Sequence, residues 1–101
     1  MSDINEVITK EDLVDYLGID YIDEMVDSNL ERAINYADGE LRESVGDNYP
    51  TDHPLTPELA LIFASVSYED RDLSRNENKR ANQLSEKLRL VLRRRSNVNS
   101  V

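Results

Sequence analysis

Few residue types able to do chemistry occur in this chain of 101 residues. It has no cysteine, which excludes disulfides, thiolate metal sites and a cysteine nucleophile. The one histidine, His53, lies between Asp52 and Pro54 in a turn-rich stretch, without a serine or second histidine in an obvious relay. It reads as a solvent-facing loop residue. Asp23 and Asp27 stand one helical turn apart with Asp20 and Glu31 nearby, a set that could bridge a hard divalent ion. Yet no Asp-rich calcium loop with its central glycine is present, and like-charged carboxylates on a helix surface are ordinarily just hydrated. Gly18, Gly39 and Gly46 are too scattered to cradle a phosphate. The sequence therefore predicts no enzyme, no metal and no cofactor.

The elements that must position these residues are helical. Thr9 followed by Asp12 forms a capping-box pattern, and Gly18 stands where a left-handed residue closes a helix, which predicts a short helix over about 10–17. A second segment beginning at Ile19-Asp20 places Ile22, Val26, Leu30, Ala33, Ala37 and Leu41 at steps of three and four, with Met25, Ile34 and Val45 widening the stripe. Gly46 is the expected stop. Residues 47–56, DNYPTDHPLT, favour turns, and Thr56-Pro57-Glu58 then places a hydroxyl cap, a first-turn proline and an acid in helix-starting order. The following ELALIFASVSY is apolar on nearly every side, so it is expected to be the central helix. Ser74 with Glu77 offers a second capping box for a last helix carrying Ala81, Leu84, Leu88, Val91 and Leu92. The fold class is all-α, a small bundle of about four helices around a buried apolar third helix. Residues 1–95 form its one domain and 96–101 a flexible C-terminal tail, too poor in apolar residues to fold alone. The longest charge-free stretch, Leu59 to Tyr68, is ten residues, half of the ~20 that span a membrane, and the acidic N-terminus lacks a signal-peptide pattern. A cytoplasmic protein without a membrane partner is the expectation.

Charge is the most informative property. Residues 1–70 hold 18 acids and 3 bases, whereas residues 71–101 hold 3 acids and 9 bases, so a chain of net charge −9 is electrically two-ended. Such segregation suits a basic nucleic-acid arm, an intramolecular cover, or complementary patches that join successive subunits head to tail. A helix-turn-helix regulator using Thr9 to Tyr36 is one alternative, but Asp23, Glu24, Asp27 and Glu31 would face phosphates with only Arg32 in compensation. An acidic adaptor that imitates DNA and binds a basic protein is another. A monomer whose basic helix covers its own acidic surface is the simplest.

The order of elements resembles a family, the small head-tail connector proteins of long-tailed bacteriophages, also called adaptor or head-completion proteins. Ile8-Thr9-Lys10-Glu11-Asp12-Leu13 through Tyr16-Leu17-Gly18-Ile19-Asp20 is similar to that family's opening helix and its Leu-x-Ile-Asp turn. Asp23-Glu24 followed by Leu30, Ala33 and Tyr36 is similar to its long second helix. Pro57-Glu58-Leu59-Ala60-Leu61 through Tyr68-Glu69-Asp70-Arg71 resembles its hydrophobic helix with a Tyr-x-x-Arg end, and Leu90 to Arg95 resembles its arginine-ended closing segment. The likeness covers residues 8–95, with departures at Val45-Gly46-Asp47-Asn48-Tyr49 and where Leu92 runs into three arginines.

The resemblance implies a structural virion protein at the head-tail junction, assembled in the bacterial cytoplasm. It implies a ring, twelvefold like the portal, that binds the portal protein, extends the DNA channel and offers a platform for a stopper or tail-completion protein. DNA would pass through the lumen without specific binding, because carboxylates repel phosphates. The charge pattern nominates Asp23, Asp27 and Glu31 as acidic subunit contacts, and Lys87, Arg89 and Arg93 as basic ones. Arg94, Arg95 and the tail behind them are the candidates for reaching the portal.

Overall fold

Local signals start and stop each helix in the computed structural model, which describes residues 3–99 and the side chains of residues 3–95. A single 3-10 turn, Ile4–Glu6, comes first; Asp3 caps it by accepting the Asn5 amide. Helix α1 spans Lys10–Leu17. Its capping box closes in both directions, the Thr9 hydroxyl accepting the Asp12 amide at 3.1 Å and the Asp12 carboxylate accepting the Thr9 amide at 2.9 Å. Gly18 ends it with φ +72°, a left-handed conformation in which side chains other than hydrogen are strained.

Helix α2, Glu24–Ser44, begins later than the expected Ile19-Asp20 start. Asp23 is the cap, its carboxylate accepting the Val26 amide at 2.8 Å, and residues 19–23 are spent on the turn out of α1. Two expected stripe residues therefore leave the core: Ile22 lies ahead of the helix and is 52% exposed, and Met25, on the first turn, is 73% exposed. Of the rest of the stripe, Val26 is half-buried and Leu30, Ala33, Ile34, Ala37, Leu41 and Val45 are buried. Gly46 has positive φ, and a Cβ there would stand 3.4 Å from a Leu92 methyl, so the last helix crosses close to this turn.

Tyr49, expected within a plain loop, is buried. Its hydroxyl donates to Asp38 on α2 at 2.6 Å, and Arg42 donates to the same carboxylate at 3.1 Å. Burial and the Asp38 carboxylate push the Tyr49 hydroxyl's pKa up, so it remains a donor that pins the loop to α2.

Helix α3 is Leu55–Glu69. The expected Thr56 cap is not formed. Thr56 is already inside the helix and buried, and its hydroxyl donates back to the Pro50 carbonyl at 2.6 Å. His53 takes part in the capping instead. It is half-buried, not solvent-facing, and its Nδ1 accepts the Leu55 amide at 3.1 Å, which puts the ring proton on Nε2. Only Glu69 of α3 is exposed, and the helix packs against α1, α2 and the last helix.

Asp70 then turns left-handed with φ +51°, while the Asp70 and Arg71 amides return to the Ser67 and Val66 carbonyls. Ser74 and Glu77 form the second capping box, at 2.9 and 3.1 Å, and open helix α4, Arg75–Asn99. Ala81, Leu84, Ser85 and Leu88 form its buried face. The tail set apart at 96–101 begins inside this helix, whose backbone runs to Asn99; the rest of it lies outside the described residues. The 3-10 turn and the two residues after it add Ile4, Val7 and Ile8 to the core, an i, i+3, i+4 pattern present in the sequence. Among the described residues no helix is long and apolar enough to cross a membrane.

Two stability measurements check these assignments. Replacing Asp70 by Gly removes the left-handed strain and is expected to raise stability in urea melts by ~0.5–1 kcal/mol, whereas Asp70→Val lowers it. Hydrogen bonds from Arg71 and from the Ser74 amide hold the Glu77 carboxyl near about 2, below its ordinary 4.5. That stabilisation is complete above pH 4.5 and is lost as pH falls toward 2. Stability followed from pH 6 to pH 2 is expected to fall less steeply in Glu77→Gln than in the parent.

Candidate assembly surfaces

The basic residues of α4 divide by the helix's own periodicity. At ~100° per residue, Arg89 and Arg93 share one flank of the outer face, and Lys87 and Arg94 share the opposite flank. All four side chains are exposed, and among the described residues none makes an ion pair. The Arg89 guanidinium reaches only the Ser85 carbonyl of its own helix, at 3.4 Å. Leu90 lies between the flanks, 46% exposed, and beside it a groove of about 430 Å³ is lined by Glu86, Arg89, Leu90 and Arg93.

Arg95 does something different. It projects back to the α2–α3 loop and pairs with Asp52 at 2.9 Å, which holds the Asp52 carboxyl below the usual carboxylate range. Arg80 likewise pairs with Glu58 on α3, through both carboxylate oxygens at 3.0 Å. The basic helix thus pairs with the acidic body at two points only among the described residues, a part-buried bidentate pair at Arg80 and an exposed, energetically slight one at Arg95.

Arg71, the last residue of the Tyr68-x-x-Arg71 pattern, is a structural clamp. Its guanidinium meets Glu77 at 2.6 and 2.9 Å, Glu69 at 3.1 Å and the Asp72 carbonyl at 3.1 Å, which fixes the α3–α4 turn. These carboxylates raise its already high pKa.

On the acidic side, the three nominated residues are partly engaged within the chain. Asp23 caps α2. Lys10 on α1 lies 3.1 Å from Asp27 and 3.9 Å from Glu31, pinning α1 to α2 and offsetting part of their charge. Asp20 and Glu24, at the α1–α2 corner, have no ion pair among the described residues, which is also true of Glu11 and Asp15 on α1 and of Glu40, Glu43 and Asp47 toward the other end of α2. Among the described residues no three carboxylates or imidazoles are placed to hold a metal ion, so Asp20, Asp23, Asp27 and Glu31 do not form a cage.

The same corner exposes apolar groups, with Tyr21 69%, Ile22 52% and Met25 73% exposed. Sequence periodicity assigned Ile22 and Met25 to the core and left Tyr21 aside. The signal available was Asp23 as a competing cap, which shifts the helix start and strands both.

The acidic corner and the free basic flank lie on different parts of the molecule. Asn29 and Arg32, near the start of α2, border Ser67, Tyr68 and Asp70 at the end of α3. Leu92 and Arg95, near the end of α4, meet Gly46 and Asp52 beyond the other end of α2. Helix α2, 21 residues and about 30 Å long, has the corner at its start, and the Arg93 end of the flank lies toward its other end. Comparison with family models, with curated proteins and with solved structures finds no match to this chain.

The division between structural and free cations has a direct consequence. Arg89→Glu and Arg93→Glu are expected to change stability by at most ~0.5 kcal/mol, as ordinary surface substitutions do. Arg71→Ala removes hydrogen bonds to two carboxylates and a carbonyl and is expected to lower stability more than either of those substitutions. Urea denaturation of the three variants checks the contrast.

Proposed function

We propose that this chain is a head-tail connector subunit that assembles with copies of itself as a ring beneath a phage portal. The observation that carries the reading is a pair of exposed surfaces of opposite charge, the α1–α2 corner with Asp20 and Glu24 and the α4 flank with Arg89 and Arg93, all four without an ion pair among the described residues. Among the described residues no ion pair joins the two surfaces within one molecule. A second copy can supply what each surface lacks, and repetition of one such heterologous contact closes a ring when the rotation per step permits. Long-range attraction steers the encounter, and apolar contacts supply lasting affinity.

The family likeness supports the same reading. Its opening helix and turn, its hydrophobic helix and its closing arginine segment fall in this chain on α1 and Gly18, on α3 and on α4. A helix-turn-helix regulator draws no support from the α1–α2 corner, where Asp20, Asp23 and Glu24 stand exposed in the path of any phosphate. The portal and a stopper or tail-completion protein are the partners this function requires.

Native mass spectrometry and negative-stain imaging of the full chain with its cognate portal protein test the proposal. A multi-subunit annulus attached to the portal is the expected result. Only solitary molecules and no attachment, at high protein concentration, would refute it, and a monomer that binds a basic protein instead would favour the acidic adaptor.

A further inference from the structure

Three large apolar side chains within five residues, Tyr21, Ile22 and Met25, are left in water at the α1–α2 corner although the core lies one helix away. Clustered exposure of this kind marks a contact surface more often than scattered single residues do. The corner has a distinct composition, an apolar centre with Asp20 and Glu24 at its edge and no ion pair on either acid among the described residues. The α4 flank has the converse composition. Leu90 is exposed at its edge, Arg89 and Arg93 stand beside it without an ion pair among the described residues, and a groove runs along them.

We infer that the α1–α2 corner of one copy docks on the Arg89-Leu90-Arg93 flank of α4 of the next. Tyr21, Ile22 and Met25 cover Leu90 and fill the groove, and Asp20 and Glu24 face Arg89 and Arg93. Glu86, one turn before Leu90 on the same flank, bounds the site, since an acid docked against it is repelled; the acidic corner is thereby held toward Arg93. The occupant is a second copy because apolar side chain meets apolar side chain and carboxylate meets guanidinium only when the two surfaces come from different molecules. The contact is heterologous, so each copy uses both surfaces once. This inference rests on the reading that the chain assembles with itself, and it places the contact away from Asp27 and Glu31, which Lys10 already engages.

The absence of cysteine makes the test clean. Full-length Met25→Cys and Leu90→Cys variants, carrying tags of different mass, are mixed at high concentration and treated with a short bismaleimide, with and without portal protein. Mixed dimers that join one variant to the other are expected to dominate over either homodimer, and a Met25→Cys/Leu90→Cys double variant is expected to give a ladder of covalent oligomers. Adding Arg89→Glu and Arg93→Glu is expected to lower the ladder about tenfold, and Asp20→Lys with Glu24→Lys to restore part of it. Equal or greater yield of homodimers, or no cross-link under either condition, overturns the contact. A ladder in a protein that never attaches to portal leaves the contact standing and removes the connector reading. An annulus on the portal without the cross-link between the two variant positions does the reverse.

Discussion

Burial of α3 is the constraint on which the rest of the molecule depends. Fourteen of its residues, all but Glu69, are at least partly withdrawn from water, and they need partners on three sides. Helix α2 supplies most of that cover through Leu30, Ala33, Ile34, Ala37 and Leu41, α4 adds Ala81, Leu84 and Leu88, and α1 adds Leu13. Each covering helix has one apolar stripe and spends it on α3, so its charges are turned outward. The electrical polarity of the chain becomes a polarity of the surface for this reason. Two polar groups inside this core are bonded at short range, the Thr56 hydroxyl on the Pro50 carbonyl and the Ser65 hydroxyl on the Ile62 carbonyl, whereas the buried Ser44 hydroxyl has no partner among the described residues.

The charged residues then sort into two populations with different physics. Arg71, Glu77, Asp38, Arg42 and Asp23 are tied to amides, hydroxyls or one another and hold turns and helix starts in place. Arg89, Arg93, Lys87, Arg94, Asp20 and Glu24 have no such duty and are available to a partner. In the proposed ring the second population does the recognising, and the first keeps it at fixed spacing. Placement of both surfaces on one packed bundle matters here, because a flexible link would let them neutralise each other within one molecule.

How far the sequence reached depended on the range of the interaction. The capping boxes at Thr9 and Asp12 and at Ser74 and Glu77 were legible because each joins residues three apart. The helical stripes of α2, α3 and α4 were legible because periodicity is a property of the helix itself. Thr56 has the sequence pattern of a cap but not the role, because its competitor, the buried bond to Pro50, depends on how the loop folds back. Tyr49 looked like one more loop residue for the same reason, since nothing local announces that its ring will lie under Asp38, 11 positions earlier.

The candidate surfaces follow the same rule. Composition fixed that acid lies early and base late, and helix geometry alone split Arg89 and Arg93 from Lys87 and Arg94. Which charges remain free was decided by contacts between distant positions: Lys10 with Asp27, 17 apart, and Arg95 with Asp52, 43 apart. So was the stranding of Tyr21, Ile22 and Met25 at the corner. Local bonding and periodicity are written residue by residue and survive in an isolated segment, so the chain alone determined the helices and their two-ended charge. Pairing and exposure are properties of surfaces brought together, and only the packed bundle decided which residues are left to meet another molecule.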